Sequence, residues 1–273
     1  MSALERWARE LGGWGIPDEI LSAAPESPWG FPAELHRIRA ERATAREPTA
    51  TTRRALEALP EGGSVLDVGV GGGAASLPLA GRAALIVGVD TSPDMLSAFD
   101  EGARARGVEA RTVRGGWPDV APQVLETDVV VCSHVLYNVR DLEPFVLALD
   151  GHARRRVITE ITASHPLAWM SELWRRFHAL ERPDGPTAEV AFEALAELGV
   201  SPEREDGSRT PLSSGFERRE DAVALVRRRL CLSAERDPEI ETALGDLLAE
   251  RDGLWSAGPS EQTLVTLWWD RRT

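Results

Sequence analysis

The sequence contains no lysine, and all 31 of its basic residues are arginine. Lysine forms the Schiff base with pyridoxal phosphate, binds phosphate in P-loops, contacts ATP in kinases and assists tyrosine in short-chain dehydrogenases. The absence of lysine therefore excludes these kinds of catalytic and binding site.

Cysteine and long apolar segments are also scarce. The two cysteines, Cys132 and Cys231, are too few for a disulfide framework or a zinc site. No apolar run approaches the ~18 residues that span a bilayer. Charged residues interrupt the N-terminal segment MSALERWARELGG, where a signal peptide would be apolar. We therefore expect a cytoplasmic protein without a membrane partner.

Basic residues are outnumbered by acidic ones, 31 to 44, which gives a formal net charge of -13. A field of this sign repels phosphate backbones. The charge balance therefore argues against nucleic acid as a partner.

Apolar spacing and proline positions divide the chain into helical ends and an α/β centre. The predicted N-terminal helices are Ala3–Leu11, Pro17–Ala23, Pro32–Arg46 and Thr51–Leu59. The centre contains the β-type runs SVLDV, ALIVGV, ARTV, DVVVCS and RRVITEI, with helices at Ala74–Leu79, Pro93–Arg106 and Leu142–Leu149. Four more helices, at His165–Leu180, Thr187–Leu198, Arg218–Leu230 and Pro238–Arg251, precede a last strand, QTLVTLWW.

The alternation of Val-, Ile- and Leu-rich runs with helices indicates a parallel sheet covered on both faces. We predict an α/β fold in which residues 61–273 form the main domain and residues 1–60 form a helical cover. Helical insertions are expected at about 165–182 and 211–258.

A glycine-rich turn follows the first predicted strand in VLDVGVGGGAASLPLA. Gly69, Gly71 and Ala74 satisfy the fingerprint of dinucleotide-binding folds, which would favour NAD. Asp67 argues against that interpretation, because a carboxylate is unfavourable beside a pyrophosphate and favourable beside an ammonium group. The turn therefore favours a ligand that carries an amino acid.

Together, VLDVGVGGG and GVDTSPDML resemble the first two motifs of class I S-adenosylmethionine-dependent methyltransferases. The first motif matches Asp67, Gly69, Gly71 and Gly73, and Asp90 matches the acid that binds the ribose hydroxyls. The resemblance covers about residues 63–161. It implies a Rossmann-like three-layer sandwich, with a mostly parallel seven-stranded sheet and added helices at both ends that cover the site.

The residues after Asp90 are further candidates for contact with the cofactor. Thr91 and Ser92 precede Pro93, so Ser92 either caps the following helix or contacts the ligand. Met95 lies one helical turn further along, where the resemblance implies contact with adenine. The same methionine could equally belong to the core.

One position departs from the family pattern. Gly116 stands where the family usually has the Asp that receives the adenine amino group. A polar contact to adenine must then come from the backbone or from Asp119, while Trp117 either covers the adenine ring or fills the core.

The segment after the fourth strand, CSHVLYN, resembles the family segment that faces the methionine part of the cofactor. Ser133 is a predicted cofactor contact, and His134 and Tyr137 are the predicted catalytic residues. An imidazole is suited to act as a general base at neutral pH. The alternative for His134 is a side chain that donates to a backbone carbonyl and packs on the ligand.

The acceptor pocket is expected between this segment, the helix near Pro166 and the N-terminal segment. Its candidate residues are His165 and Trp169 on one side and Trp29 and His36 on the other. Trp169 also belongs to an apolar helix face that would ordinarily be core.

These patterns predict methyl transfer from S-adenosylmethionine to a small-molecule acceptor, with no metal ion. A cofactor-binding protein without turnover and an NAD-dependent oxidoreductase are the alternatives. The sequence leaves open whether two copies associate as a homodimer.

Overall fold

The computed structural model describes residues 1–29, 48–209, 215–251 and 253–271. The main sheet of this part of the chain consists of β1 (Gly63–Val68), β2 (Ala83–Asp90), β3 (Glu109–Arg114), β4 (Thr127–Ser133), β5 (Ala153–Thr162), β6 (Glu203–Arg209) and β9 (Gln262–Asp270). A separate hairpin consists of β7 (Leu248–Arg251) and β8 (Leu254–Ala257).

The α-helices of the described ranges are α1 (Ala3–Gly12), α2 (Asp18–Ala23), α3 (Ala50–Ala58), α4 (Pro93–Ala105), α5 (Leu142–His152), α6 (Ser171–His178), α7 (Ala188–Glu197), α8 (Arg219–Arg229) and α9 (Asp237–Leu244). Within the same ranges, every helix is too short or too polar to cross a membrane.

The seven strands are ordered β3-β2-β1-β4-β5-β9-β6. The strands from β3 to β5 are parallel, whereas β9 pairs antiparallel with both β5 and β6. The strand order reverses between β1 and β4, so the connections after these two strands run to opposite sides. This divergence opens a crevice at the carboxyl ends of β1 and β4. The predicted mostly parallel seven-stranded sheet is confirmed.

Side-chain alternation along the strands places a hydrophobic core on each face of the sheet. Leu66 of β1 and Val130 of β4 pack in one core with α1, α5 and α7. Val65 and Val129, one position earlier on each strand, pack in the other core with α3 and α4. This arrangement of layers confirms the predicted three-layer sandwich.

The first helix is built into the main core. Ser2 and Glu5 form a reciprocal capping box at its start, and Glu197 of α7 accepts the backbone N–H groups of Ala3 and Leu4. Trp7 is fully buried, and its indole N–H donates to the carbonyl of Val139. The N-terminal helix is thus fixed both to α7 and to the loop after β4.

A third hydrophobic cluster lies outside the two sheet cores. It is formed by α6, α8, α9 and the β7–β8 hairpin, and α2 contributes partly buried residues. Apart from α2, these elements lie between positions 171 and 257, and they cover the carboxyl edge of the sheet.

Two local predictions were wrong. The predicted helix Pro238–Arg251 ends at Leu244 and is followed by a 3-10 turn and the hairpin strand β7. In place of the predicted helix Ala74–Leu79 there is a 3-10 turn at Leu77–Leu79. The predicted helix Pro32–Arg46 lies outside the described residues.

Candidate active site

A cavity of about 1370 Å³ lies at the carboxyl ends of β1, β2, β4 and β5. The cover formed by α8, the β7–β8 hairpin and the residues before α6 closes the opposite side. Ligands of open α/β sheets bind at this position, because the loops after the strands diverge there. The cavity brings together most of the residues predicted from the sequence.

The glycine-rich turn approaches its neighbours too closely for side chains. Gly69 has φ +73°, and a Cβ atom there would lie 2.3 Å from Val135 Cγ2. Gly73 has φ +84°, and a Cβ atom there would lie 2.6 Å from Leu77 Cγ. Gly69, Gly71 and Gly72 line the cavity, so bare backbone forms its floor.

Asp90 lies at the end of β2, and its carboxylate connects the glycine-rich turn to the start of α4. Its Oδ2 accepts the backbone N–H of Gly71 at 3.0 Å, and its Oδ1 accepts the N–H of Ser92 at 2.9 Å. A carboxylate has about four acceptor sites, so two remain for hydroxyl donors from a ligand. Asp90 therefore both organises the glycine turn and faces the cavity.

Asp67 is buried at the end of β1, where Ser76 donates a hydrogen bond of 2.6 Å to its Oδ2. Burial raises the pKa of Asp67 to about 7, and the nearby Asp90 carboxylate adds to this effect, while the Ser76 hydrogen bond opposes it. A cationic group in the adjoining cavity would favour the ionised form of Asp67.

The start of α4 carries the next group of predicted cofactor residues. Ser92 caps this helix, because its Oγ accepts the backbone N–H of Met95 at 3.4 Å. Thr91 and Met95 line the cavity, whereas Ser92 does not. The capping alternative for Ser92 is the one that the structure supports.

Gly116 and Trp117 follow β3 and line the same end of the cavity. A Cβ atom on Gly116 would meet open space, so this position leaves room for a ligand. Trp117 donates its indole N–H to the carbonyl of Phe145 at 3.3 Å and contacts His152 edge-on. Trp117 is therefore both a core residue and part of the cavity wall.

His134 follows β4 directly and faces Glu160 of β5. Its Nε2 lies 3.2 Å from Glu160 Oε1, and its backbone N–H donates to the Glu160 carbonyl at 2.7 Å. The His134 side chain is 41% exposed, while that of Glu160 is only 10% exposed. Neighbouring Ser133 has its Oγ shielded from solvent without a hydrogen-bond partner among the described residues.

Two threonines connect Glu160 to the rest of the fold. Thr51 of α3 donates to Glu160 Oε2 at 2.7 Å, and its Oγ1 lies 3.0 Å from Thr266 Oγ1 on β9. Sequence reasoning did not select Glu160, Thr51 or Thr266 as site residues. The only signal was an acidic residue near the carboxyl end of an apolar strand, since the threonines meet it only through the tertiary fold.

Tyr137 lines the cavity, but its contacts do not fit the predicted catalytic role. Its hydroxyl donates to the Thr162 carbonyl at 2.5 Å, and its ring stacks on Trp7. Burial raises the pKa of Tyr137 to about 12, which disfavours the phenolate. Tyr137 therefore fixes the loop after β4 to the end of β5.

His165 also differs from its predicted role in the acceptor pocket. It is buried and stacks on Trp14 with ring centroids 3.9 Å apart, outside the residues that line the cavity. Burial lowers the pKa of His165 to about 3, so the ring is neutral. Trp29 is 53% exposed and lies at a small neighbouring pocket, and His36 lies outside the described residues.

Trp169 forms part of an apolar wall on the cover side of the cavity. Gly258 packs against its indole, where a Cβ atom would lie 3.4 Å from Cε2. Leu167, Met170, Leu225 and Val226 of the cover also line the cavity. The described residues contain no cluster of three or more His, Cys, Asp or Glu side chains placed to hold a metal ion.

The chain is similar to known methyltransferases in sequence and to solved structures in fold. A family model described as a methyltransferase domain matches residues 65–154. The ubiquinone biosynthesis O-methyltransferase of Rhizobium rhizogenes is 27% identical over 164 residues, which cover 51% of this chain and 64% of the relative. The enzyme of the same name from Rickettsia felis is 29% identical over 90 residues, which cover 33% of this chain and 36% of the relative. The chain thus matches less than two thirds of the length of either relative.

Two solved structures share the fold over most of their length. A cyclopropane-fatty-acyl-phospholipid synthase-like protein from Lactobacillus casei has a TM-score of 0.55 and 16% identity, covering 93% of this chain and 98% of its own. A provisionally assigned methyltransferase from Bacillus halodurans has a TM-score of 0.53 and 14% identity. The match covers 82% of this chain and 99% of that protein. At this level of identity, the similarity concerns the fold alone.

Proposed function

The chain contains a class I methyltransferase domain with a Rossmann-like fold, and on this premise we propose that it transfers a methyl group from S-adenosylmethionine to a small molecule. The observation that carries the proposal is the placement of the glycine turn and Asp90 opposite His134 and Glu160 in one cavity. A cofactor at the turn and an acceptor at the histidine would then share the space between them.

The residues present fit this cofactor. Asp90 keeps acceptor sites for two ribose hydroxyls, and Gly116 leaves open space at the adenine end. Ser133 offers a shielded hydroxyl without a partner among the described residues, and Asp67 offers a carboxylate for the ammonium group. We propose that Met95 and Trp117 flank the adenine ring. When bound, the cofactor supplies an electrophilic methyl group on a sulfonium.

The contribution of this chain is mainly to hold the acceptor in line with that methyl group. Holding two reactants in the right orientation lowers the activation free energy by up to ~7–11 kcal/mol relative to free reactants. Positioning can therefore account for most of the rate enhancement. We propose that Trp169 and the apolar wall bind the body of the acceptor, while His134 accepts its proton. A phosphate-rich macromolecule is disfavoured as acceptor by the net charge of -13.

The experiment that tests the proposed function is a transfer assay with methyl-tritiated S-adenosylmethionine and a panel of small acceptors. We expect label to enter at least one small molecule, and the cofactor to be consumed in equal amount. Tight cofactor binding without transfer to any member of a broad panel would favour the binding protein without turnover.

Changing His134 to asparagine is expected to separate stability from activity. His134 has φ +61°, a left-handed conformation that costs a non-glycine residue energy and that asparagine adopts more readily. We expect the melting temperature to change little, because the lost contact with the Glu160 carboxylate offsets the gain at the backbone, while turnover falls ~10²-fold as for a lost general base. A variant that keeps full turnover would show that the imidazole only packs on the ligand.

Binding of the cofactor is expected to weaken as the pH falls below 7. Asp67 has a pKa of about 7 in the free protein, so at lower pH it carries a proton that an incoming ammonium group must displace. The dissociation constant should then rise by up to about tenfold per pH unit below 7.

Calorimetry at pH 6, 7 and 8, in buffers with different heats of ionisation, measures both the affinity and the protons released. The matched variant is Asp67→Asn, which keeps a hydrogen-bond acceptor for Ser76 but does not titrate. Equal pH dependence in the variant and the wild type would contradict this role of Asp67.

A further inference from the structure

We propose that Glu160 is a positioning residue that holds His134 as a general base, and that the acceptor therefore carries a hydroxyl group. This inference rests on the proposed methyl transfer and specifies the chemistry of its acceptor.

Glu160 attaches His134 at two points. Its carboxylate lies 3.2 Å from the imidazole Nε2, and its backbone carbonyl accepts the His134 N–H at 2.7 Å. The strand register sets this geometry, because Ser133 at the end of β4 pairs directly with Glu160 on β5. The imidazole is thus fixed by the adjacent strand and not only by its own loop.

The second carboxylate oxygen of Glu160 is held from the other side. Thr51 donates to it at 2.7 Å, and Thr51 in turn lies within hydrogen-bond distance of Thr266. Thr51 of α3 and His134 after β4 therefore both contact one carboxylate that is almost completely buried, and Thr266 of β9 supports Thr51. Burying a carboxylate is costly unless its hydrogen bonds are satisfied, and these contacts satisfy it.

This contact selects one form of the imidazole ring. In the proposed arrangement Glu160 is ionised and only accepts hydrogen bonds, so the nitrogen that faces it, Nε2, carries the hydrogen. In the neutral ring, the lone pair is then on Nδ1. A carboxylate partner also stabilises the imidazolium that forms after proton transfer.

A base of this kind is useful for one class of acceptor. A neutral amine can attack a methyl group through its own lone pair before it loses a proton, whereas an alcohol or phenol oxygen is a weak nucleophile while protonated. In the proposed step, the acceptor oxygen forms a bond to the methyl carbon as its proton moves to Nδ1 of His134. The carbon–sulfur bond breaks, and its electron pair remains on sulfur, which becomes a neutral thioether.

The backbone at His134 is consistent with this assignment. The left-handed φ of +61° is unfavourable for a histidine, and such conformations recur at functional sites where the surrounding structure enforces them. Here the Glu160 carbonyl enforces it through the hydrogen bond to His134 N–H.

The direct test is nitrogen-15 NMR of the imidazole rings, with His134→Asn used to assign the His134 signals among the five histidines. At a pH where the ring is neutral, we expect Nε2 to carry the hydrogen in the wild type. Glu160→Ala should yield a mixture of both tautomers, and the exposed carboxylate control Glu203→Gln should leave the ring unchanged. If the neutral His134 ring of the wild type carries its hydrogen on Nδ1, this result alone would overturn the proposal.

Transfer kinetics test the acceptor class. The probes are catechol, 1,2-diaminobenzene and benzenethiol, with methyl-tritiated S-adenosylmethionine. We expect transfer to the hydroxyl compound, and a ~10²-fold lower kcat with little change in KM for the near-isosteric variant Glu160→Gln. Transfer to the amine at a rate that Glu160→Gln leaves unchanged would overturn the inference.

Failure of the wild type to bind S-adenosylmethionine would contradict the proposed function, whereas the tautomer measurement reports on Glu160 and His134 without the cofactor. Affinity for S-adenosylmethionine should stay within about twofold of the wild type in Glu160→Gln, since we place Glu160 beside the acceptor.

Discussion

Changing Asp90 to alanine is expected to weaken the binding of S-adenosylmethionine by about 2–4 kcal/mol, which is ~30- to 1000-fold in Kd. The variant loses the proposed charge-assisted bonds to the ribose hydroxyls. It also loses the acceptors for the backbone N–H groups of Gly71 and Ser92, so the glycine turn is less well fixed.

Isothermal titration calorimetry measures this loss. The matched control is Asp94→Ala, four residues further along, where the carboxylate is exposed and lies outside the residues that line the cavity. Asp94→Ala should bind like the wild type. Unchanged affinity in Asp90→Ala would show that the ribose lies elsewhere.

Changing Trp7 to alanine is expected to lower the free energy of unfolding by about 3–5 kcal/mol. Trp7 is completely buried in the core on one face of the sheet, stacks on Tyr137 and donates to the Val139 carbonyl. The substitution leaves a cavity and an unpartnered carbonyl, and it removes the ring that supports the loop after β4.

Denaturant unfolding of the full chain measures this effect, with Trp29→Ala as the control. Trp29 is 53% exposed, so its removal should change the free energy of unfolding by less than about 0.5 kcal/mol. A loss below about 1 kcal/mol in Trp7→Ala would mean that α1 lies on the surface as a dispensable cover.

Most of the sheet could be predicted from the sequence because the buried strands are apolar on both faces. The runs SVLDV, ALIVGV and DVVVCS coincide with β1, β2 and β4. The strand β6, with the sequence EREDGSR, has no such signal. Among the residues that the structure describes, it is an edge strand whose one neighbour is β9, and ion pairs such as Arg54 with Glu205 attach it to α3.

The cover was harder to predict for a different reason. The segments LAER and LWSA form the β7–β8 hairpin, although LAER continues a helical pattern from α9. Gly245 ends that helix with φ +49°, and the hairpin then packs against α8 in the cluster of the cover. Tertiary packing decides the structure of such short segments more than local propensity does.

The cofactor side of the site could be predicted from the sequence because it depends on local residue spacing. Asp67, the glycine turn, Asp90 and the helix cap at Ser92 all lie within 26 consecutive residues, positions 67–92. The acceptor side depends on long-range contacts. Thr51, Glu160 and Thr266 meet from three distant parts of the chain, and Tyr137 and His165 use their polar atoms for backbone contacts that spacing does not reveal.

We propose above all that the glycine turn and Asp90 bind S-adenosylmethionine and not a dinucleotide. Titration calorimetry of the full chain at pH 8, with S-adenosylhomocysteine and NAD as separate ligands, tests it most directly, because neither ligand is consumed. We predict saturable binding of S-adenosylhomocysteine at one site per chain, at least 100-fold tighter than that of NAD and lost in Asp90→Ala, a difference of ~2.7 kcal/mol. Tight binding of NAD without binding of S-adenosylhomocysteine would contradict the account.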